Sequence, residues 1–241
     1  DEIAFVGKRG EGAKADQEPQ IYLIAPDGGE ARRLTSLATG VSAIRWFADG
    51  RHIAFISWVW PDLQREKDQA RRLKERQDDK CKAHVVDHTL SRYWDHWLSD
   101  GRVPHLHIVN VATGKCRDLF AGAGLSLPLA DPGIADYDVS PDGRSVVFCA
   151  NPASDPRGDQ PHHLFELDLR KGKCRSLTAQ SRYSHHTPAY SPDGRSIAFL
   201  AQDMRRSMDD DQKVFLLDRA TGKLAAWSHW DRNVNPPLKW A

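Results

Sequence analysis

Apolar residues along this chain come in short runs bounded by turn-forming residues, a pattern of strands rather than helices. Ile197-Ala198-Phe199-Leu200 follows Ser191-Pro192-Asp193-Gly194-Arg195, and Val146-Val147-Phe148 follows Ser140-Pro141-Asp142-Gly143-Arg144. A weaker copy, Phe47-Ala48-Asp49-Gly50-Arg51, precedes Ile53-Ala54-Phe55, and Asp1-Glu2-Ile3-Ala4-Phe5 reads as the back half of the same phrase. In the full motif Pro presets φ, Asp accepts local backbone hydrogen bonds and Gly takes the left-handed conformation, so each copy predicts a tight hairpin.

A second hairpin follows each first one. Leu106-His107-Ile108-Val109-Asn110 leads into Thr113-Gly114-Lys115, Leu164-Phe165-Glu166-Leu167-Asp168 into Lys171-Gly172-Lys173, and Val214-Phe215-Leu216-Leu217-Asp218 into Thr221-Gly222-Lys223. Ile21-Tyr22-Leu23-Ile24 before Asp27-Gly28-Gly29 has the same grammar. Ile3, Ile53, Val146 and Ile197 are separated by 50, 93 and 51 residues, so a unit of about 50 residues repeats and one copy carries about 42 extra. The expected fold is all-β: a β-propeller of four-stranded antiparallel blades filling residues 1–241 with about four blade-equivalents, and one mainly helical insertion at about 59–103. Leu238-Lys239-Trp240-Ala241 resembles Ile44-Arg45-Trp46-Phe47, the first strand of a blade. Either that strand completes a closed four-bladed ring or the chain is part of a larger propeller. The second reading is favoured because both ends break the motif in mid-phrase.

Composition narrows the partners. The chain has 34 basic and 33 acidic side chains, a net charge of +1, which gives no bulk reason to expect nucleic acid or a membrane as partner. No apolar run reaches bilayer-spanning length and the first residues lack a leader pattern, which points to the cytoplasm, or to the periplasm if a leader has been removed. Cys81, Cys116, Cys149 and Cys174 show no CxxC spacing, and Cys116 and Cys174 hold the same place in two repeats, so reduced thiols are expected.

Catalytic motifs are missing: the chain contains no GxSxG, no phosphate-cradling glycine pattern and no HExxH, and no catalytic residue is assigned. The pairs His162-His163 and His185-His186 have no carboxylate at ligand spacing beside them, so neither a metal nor another cofactor is expected and ordinary hydrogen-bonding histidines are. Asp136 and Asp138 fit either the lining of a channel or the bracing of turns between blades. Within the insertion, residues 62–77 are helix formers with a thin apolar stripe of Leu63, Ala70 and Leu73, which predicts a solvated helix. The segment Ser91-Arg92-Tyr93-Trp94-Asp95-His96-Trp97 concentrates aromatics, a cation and a carboxylate. Arg92, Trp94, Asp95 and Trp97 are the candidate binding residues, forming a recognition surface through cation–π and charge-assisted contacts, or else packing the insertion onto the blades.

With these features assembled, the chain resembles the propeller of the prolyl oligopeptidase family of serine peptidases, in the branch of acylaminoacyl peptidases and bacterial dipeptidyl peptidases. The resemblance rests on the SPDGR-type repeats and on Arg92-Tyr93-Trp94-Asp95-His96-Trp97 followed by Asp100-Gly101-Arg102-Val103-Pro104-His105-Leu106, which looks like the family's Arg-x-Trp-Asp-x-Trp…Asp-Gly-x-x-x-His-Leu segment. It implies a propeller of seven or eight blades that covers an α/β-hydrolase domain with a Ser-Asp-His triad, screens peptide length and contacts the substrate. The implied partners are that hydrolase domain, which this sequence does not contain, and a peptide substrate. The alternative is a TolB-like propeller, which shares the SPDGR repeats and acts as a non-catalytic protein-binding scaffold.

Overall fold

The computed structural model describes residues 2–12, 15–81, 83, 91–93, 96–151, 161–179, 181–203, 211–227, 234 and 238–240. They form the expected propeller blades. The first blade has three antiparallel strands, β1 (Ile3–Gly7), β2 (Gln20–Ala25) and β3 (Gly28–Arg33). The second has β4 (Ser42–Trp46) and β5 (His52–Val59) before the insertion, which carries α1 (Glu66–Asp78) and a short hairpin of β6 (Arg92–Tyr93) and β7 (His96–Trp97). It is completed by β8 (Val103–Asn110) and β9 (Cys116–Asp118). The third blade is β10 (Tyr137–Val139), β11 (Ser145–Ala150), β12 (His163–Asp168) and β13 (Lys173–Ser176). The fourth is β14 (Ser184–Tyr190), β15 (Ser196–Gln202), β16 (Lys213–Asp218) and β17 (Leu224–Ala226). Two compact units divide these elements, one of residues 1–46 and 50–125 and the other of residues 47–49 and 126–241.

Repetition extends to single hydrogen bonds. In both full SPDGR motifs the Ser hydroxyl donates to the Asp carboxylate at 2.6 Å and accepts from the backbone N–H five residues on at 2.9 Å. The Gly N–H closes each turn onto the Ser carbonyl at 2.8 Å, with φ of +66° at Gly143 and +68° at Gly194, a region closed to most side chains. The second hairpin closes with equal regularity. Leu34, Leu119, Leu177 and Trp227 each donate a backbone N–H to the carbonyl of Ile21, Leu106, Leu164 and Val214, at 2.8 to 2.9 Å.

The strand after each SPDGR turn is buried on both faces: Ile53, Ala54, Phe55 and Ile56 are fully buried, as are Val146, Val147, Phe148 and Cys149. Within the first unit, Ile21, Leu23 and Leu34 of the first blade pack on Ile53, Phe55 and Val109 of the second. Within the second unit, Val147, Cys149 and Leu164 of the third blade pack on Tyr190, Ile197, Phe199 and Leu217 of the fourth.

Polar groups cross the same seam. Glu166, 6% exposed, receives Arg175 Nη2 at 2.7 Å, Arg219 Nη2 at 2.6 Å and the Tyr190 hydroxyl at 2.9 Å, while Arg219 also donates to the Gly194 carbonyl at 2.6 Å. Burial pushes the Glu166 carboxyl up, but these donors outweigh it and hold the group below its usual value. Asp138 accepts the Tyr190 N–H at 2.8 Å, so it braces neighbouring inner strands. Asp136 accepts the Gly133 N–H at 2.7 Å and is buried enough to titrate at about 6. Bracing and turn capping, the second of the two readings, is what these aspartates do.

Three local expectations change. Residues 238–240 form no strand; instead the Trp240 indole N–H donates to the Ala189 carbonyl at 3.2 Å. The helix starts four residues later than expected, and its thin apolar stripe is not its anchor: its one buried residue is Gln69. The insertion also contains strand, because β6 and β7 pair antiparallel. No helix among the described residues is long and apolar enough to cross a membrane, and the four cysteines form no disulfide.

Phe199→Ala removes a fully buried ring from the seam and is expected to lower unfolding stability by about 3–5 kcal/mol in urea titration. Glu166→Gln leaves Arg219 without its counter-charge and is expected to cost about 2–3 kcal/mol by the same measurement. Because the Glu166 pKa is depressed in the folded state, its contribution is complete above the ordinary carboxylate range and lost as pH falls through it, so the wild-type advantage over Glu166→Gln should shrink in acid.

Candidate functional site

The repeat is interrupted between β5 and β8, and the two strands stay paired up to Val59 and Val103. The insertion therefore leaves and returns at one point. Trp60, immediately after that pair, organises its base. Gln69 of α1 accepts the Trp60 N–H at 3.0 Å and donates to the Trp60 carbonyl at 2.9 Å and the Leu63 carbonyl at 2.7 Å. The Trp60 indole donates to the Asp100 carbonyl at 2.8 Å and lies under two guanidinium groups, Arg72 at 5.8 Å and Arg102 at 5.5 Å from the ring centroid. Arg102 is itself held by Asp100 at 2.6 Å. Gly101 has a φ of +81°, a conformation that favours glycine in this turn beside the indole.

On this base stands the β6–β7 hairpin. Arg92 pairs directly opposite Trp97 and Tyr93 opposite His96, and the Leu98 N–H donates to the Ser91 carbonyl at 2.9 Å. Directly opposed residues of an antiparallel pair share a face. The Arg92 guanidinium accordingly lies over the Trp97 ring, 5.6 Å from its centroid. Trp97 remains 44% exposed while the adjacent Leu98 is buried, so Leu98 ties the hairpin down and Trp97 presents a surface. Of the candidate residues, Arg92 and Trp97 are thus brought together; Trp94 and Asp95 lie outside the described residues.

The histidines of β8 are interior. His105, 2% exposed, shares a 2.8 Å hydrogen bond through Nδ1 with Asp118, and His107 stacks on Phe55 with centroids 5.2 Å apart. Burial pushes the His107 pKa down, with Asp118 opposing it. Burial likewise pushes the Asp118 carboxyl up, but the His105 hydrogen bond and both imidazoles outweigh it and hold the group below its usual range. Among the described residues no group of three or more His, Cys, Asp or Glu side chains is placed to hold a metal ion.

Sequence reading missed Trp60 and Gln69. Trp60 stands at the first position where the repeat spacing fails, a signal that was available. Gln69 gave none, since a polar residue within a polar helix looks solvated.

No protein-family model matches the chain. Among curated proteins it is 24% identical to dipeptidyl-peptidase 5 of Porphyromonas gingivalis, over 92% of this chain and 39% of that protein. It is 31% identical to the uncharacterized peptidase YuxL of Bacillus subtilis, over 68% of this chain and 22% of that one. The chain therefore spans well under half the length of these relatives. Among solved structures, an acylaminoacyl peptidase of Pyrococcus horikoshii superposes with a TM-score of 0.58, covering 93% of this chain and 30% of that chain, at 14% identity, a likeness of fold. In sequence and in fold, the chain matches the β-propeller domain of the prolyl oligopeptidase family of serine peptidases, in its dipeptidyl and acylaminoacyl peptidase branch.

Proposed function

We propose that the chain is the propeller part of a serine exo- or oligopeptidase, where it screens the access of peptides to a catalytic α/β-hydrolase domain of the same parent protein. Arg92, Trp94, Asp95 and Trp97 form the surface that meets the peptide or that domain. The observation that carries this reading is the Arg92–Trp97 pair, held on a hairpin at the one place where the repeat is interrupted. Blade closure needs nothing from this hairpin, because β5 and β8 pair without it. Likeness in sequence to peptidases supports the substrate class.

The chemistry fits a peptide. An indole face offers apolar contact at low entropic cost, and a guanidinium stacked on it sets a cation beside that face. The buried Leu98, next to Trp97, anchors the hairpin beforehand, which reduces the ordering left for binding.

In the full-length parent protein, Trp97→Ala is expected to lower kcat/KM on fluorogenic peptides by about tenfold, roughly 1.4 kcal/mol, with the thermal midpoint essentially unchanged. Equal losses of activity and stability would show that the hairpin only packs the insertion. A full-length protein that neither hydrolyses peptides nor reacts with an active-site serine probe would overturn the peptidase reading and leave a TolB-like scaffold.

A further inference from the structure

Four imidazoles meet in the seam between the third and fourth blades. The His162 and His186 rings stand edge to face with centroids 5.6 Å apart, and the His163 and His185 rings lie 5.7 Å apart. His162, His163 and His185 are buried and His186 is half-buried. The backbone locks the two pairs together: the His185 N–H donates to the His162 carbonyl at 2.9 Å, and the His162 N–H donates to the Ser184 hydroxyl at 3.1 Å. His185 is held at both ring nitrogens, by Thr178 Oγ1 at 3.1 Å and Ser181 Oγ at 3.0 Å. Neither ring nitrogen of His163 makes a hydrogen bond of normal geometry, although the Ser181 backbone lies close enough to favour its charged form.

Two further features make this end of the seam responsive. Next to His186, β14 breaks register between His186 and Ala189, and Thr187 sits at φ +55°. A β-branched residue in that region is strained, so the local structure persists only because the surroundings hold it. His185 also lines a cavity of about 460 Å³, with Leu177, Thr178, Ser181, Tyr183 and Phe215, which reaches the imidazole from outside.

We propose that the four histidines are an acid-sensitive latch: neutral, they pack the third blade against the fourth, and protonated, they repel one another and open the β12–β14 end of the seam. No carboxylate counters the lowering of their pKa values. The other titratable groups on the elements packed there include Tyr137 and Asp138 of β10, Cys149 of β11, Asp136, Glu166 and Asp168 of β12, Tyr183, Tyr190 and the Arg182–Asp203 pair, and Asp138 is taken up by the Tyr190 N–H. Burial pushes the Cys149 thiol up, so it stays uncharged, and Glu166 is committed to Arg175 and Arg219. Asp136 titrates at about 6 and is neutral before the folded histidines gain charge, so it offers them no counter-charge.

Burial, with repulsion among the rings, pushes His162 and His185 down to about 3, burial pushes His186 to about 4, and burial lowers His163 as well. Each folded-state value lies below the ordinary 6.5, so the unfolded or opened form binds more protons between the two. Stability is complete above pH 6.5 and is lost as pH falls toward 4 and 3. Asp136 works in the opposite direction, because its folded-state value is raised.

Hydrogen exchange of the chain at about pH 7.5 and about pH 5, corrected for intrinsic rates, tests the latch. Backbone amides of 161–166 and 184–190 should open about tenfold more readily at the lower pH for each histidine that the opening exposes, while β1 and β2 hold their protection. His163→Phe with His186→Phe should reduce that ratio, and Asp136→Asn should leave it in place. Should the double variant fail to fold, imidazole proton resonances of the wild type decide: midpoints below about pH 5 support the latch. Unchanged protection, loosening spread equally over all blades, abolition by Asp136→Asn, or imidazoles titrating near their ordinary value would overturn it.

Discussion

Cohesion within each unit rests on one constraint: the strand after the SPDGR turn carries apolar side chains on both faces, and a four-stranded sheet alone cannot bury both. Ile53 and Phe55 are covered in part by the preceding blade, through Ile21 and Leu23. Val147 and Cys149 are covered in the same way by Ile197 and Phe199 of the following blade. A fully buried side chain of this size contributes roughly 1.5–3 kcal/mol, so the seams outweigh the isolated hairpins in the stability of either unit. Register then becomes decisive, because a slip of one residue would turn each inward set to the other face. The repeated Ser-Asp-Gly hydrogen bonds hold that register at the β10–β11 and β14–β15 hairpin tips.

Polar groups in the seam between the third and fourth blades fall into two kinds. Glu166 and Asp138 are matched by donors from the neighbouring blade and tighten it at any pH where the carboxylates are ionised. The histidine rings pack on one another, with only neutral hydroxyls on the His185 nitrogens, and that packing is favourable only while the rings remain neutral. One seam thus has an end that is indifferent to mild acid and an end that responds to it.

The insertion is a different case. Among its described residues none adds a strand to a blade, and directed contacts around Trp60 attach it. A buried glutamine with three backbone partners, and an indole between two guanidinium groups, fix position more than they add apolar burial. On that base Arg92 stacks on Trp97 while Trp97 stays 44% exposed.

The amino-acid order specifies the local part of this architecture. Hairpins, repeat length, blade grammar and the place of the interruption follow from turn chemistry among residues within about five positions of one another, where chain connectivity already brings the groups together. The conjunction of Arg92 with Trp97 was legible for the same reason. Only the tertiary structure decided that Glu166 meets Arg219, 53 residues away, that His162 faces His186, and that Gln69 rather than Leu73 anchors the helix. Those pairings arise where one blade is laid on the next or a helix folds back on its strand. The side chains involved carry no periodicity of their own, because the partner that makes each of them interior is supplied by another part of the chain.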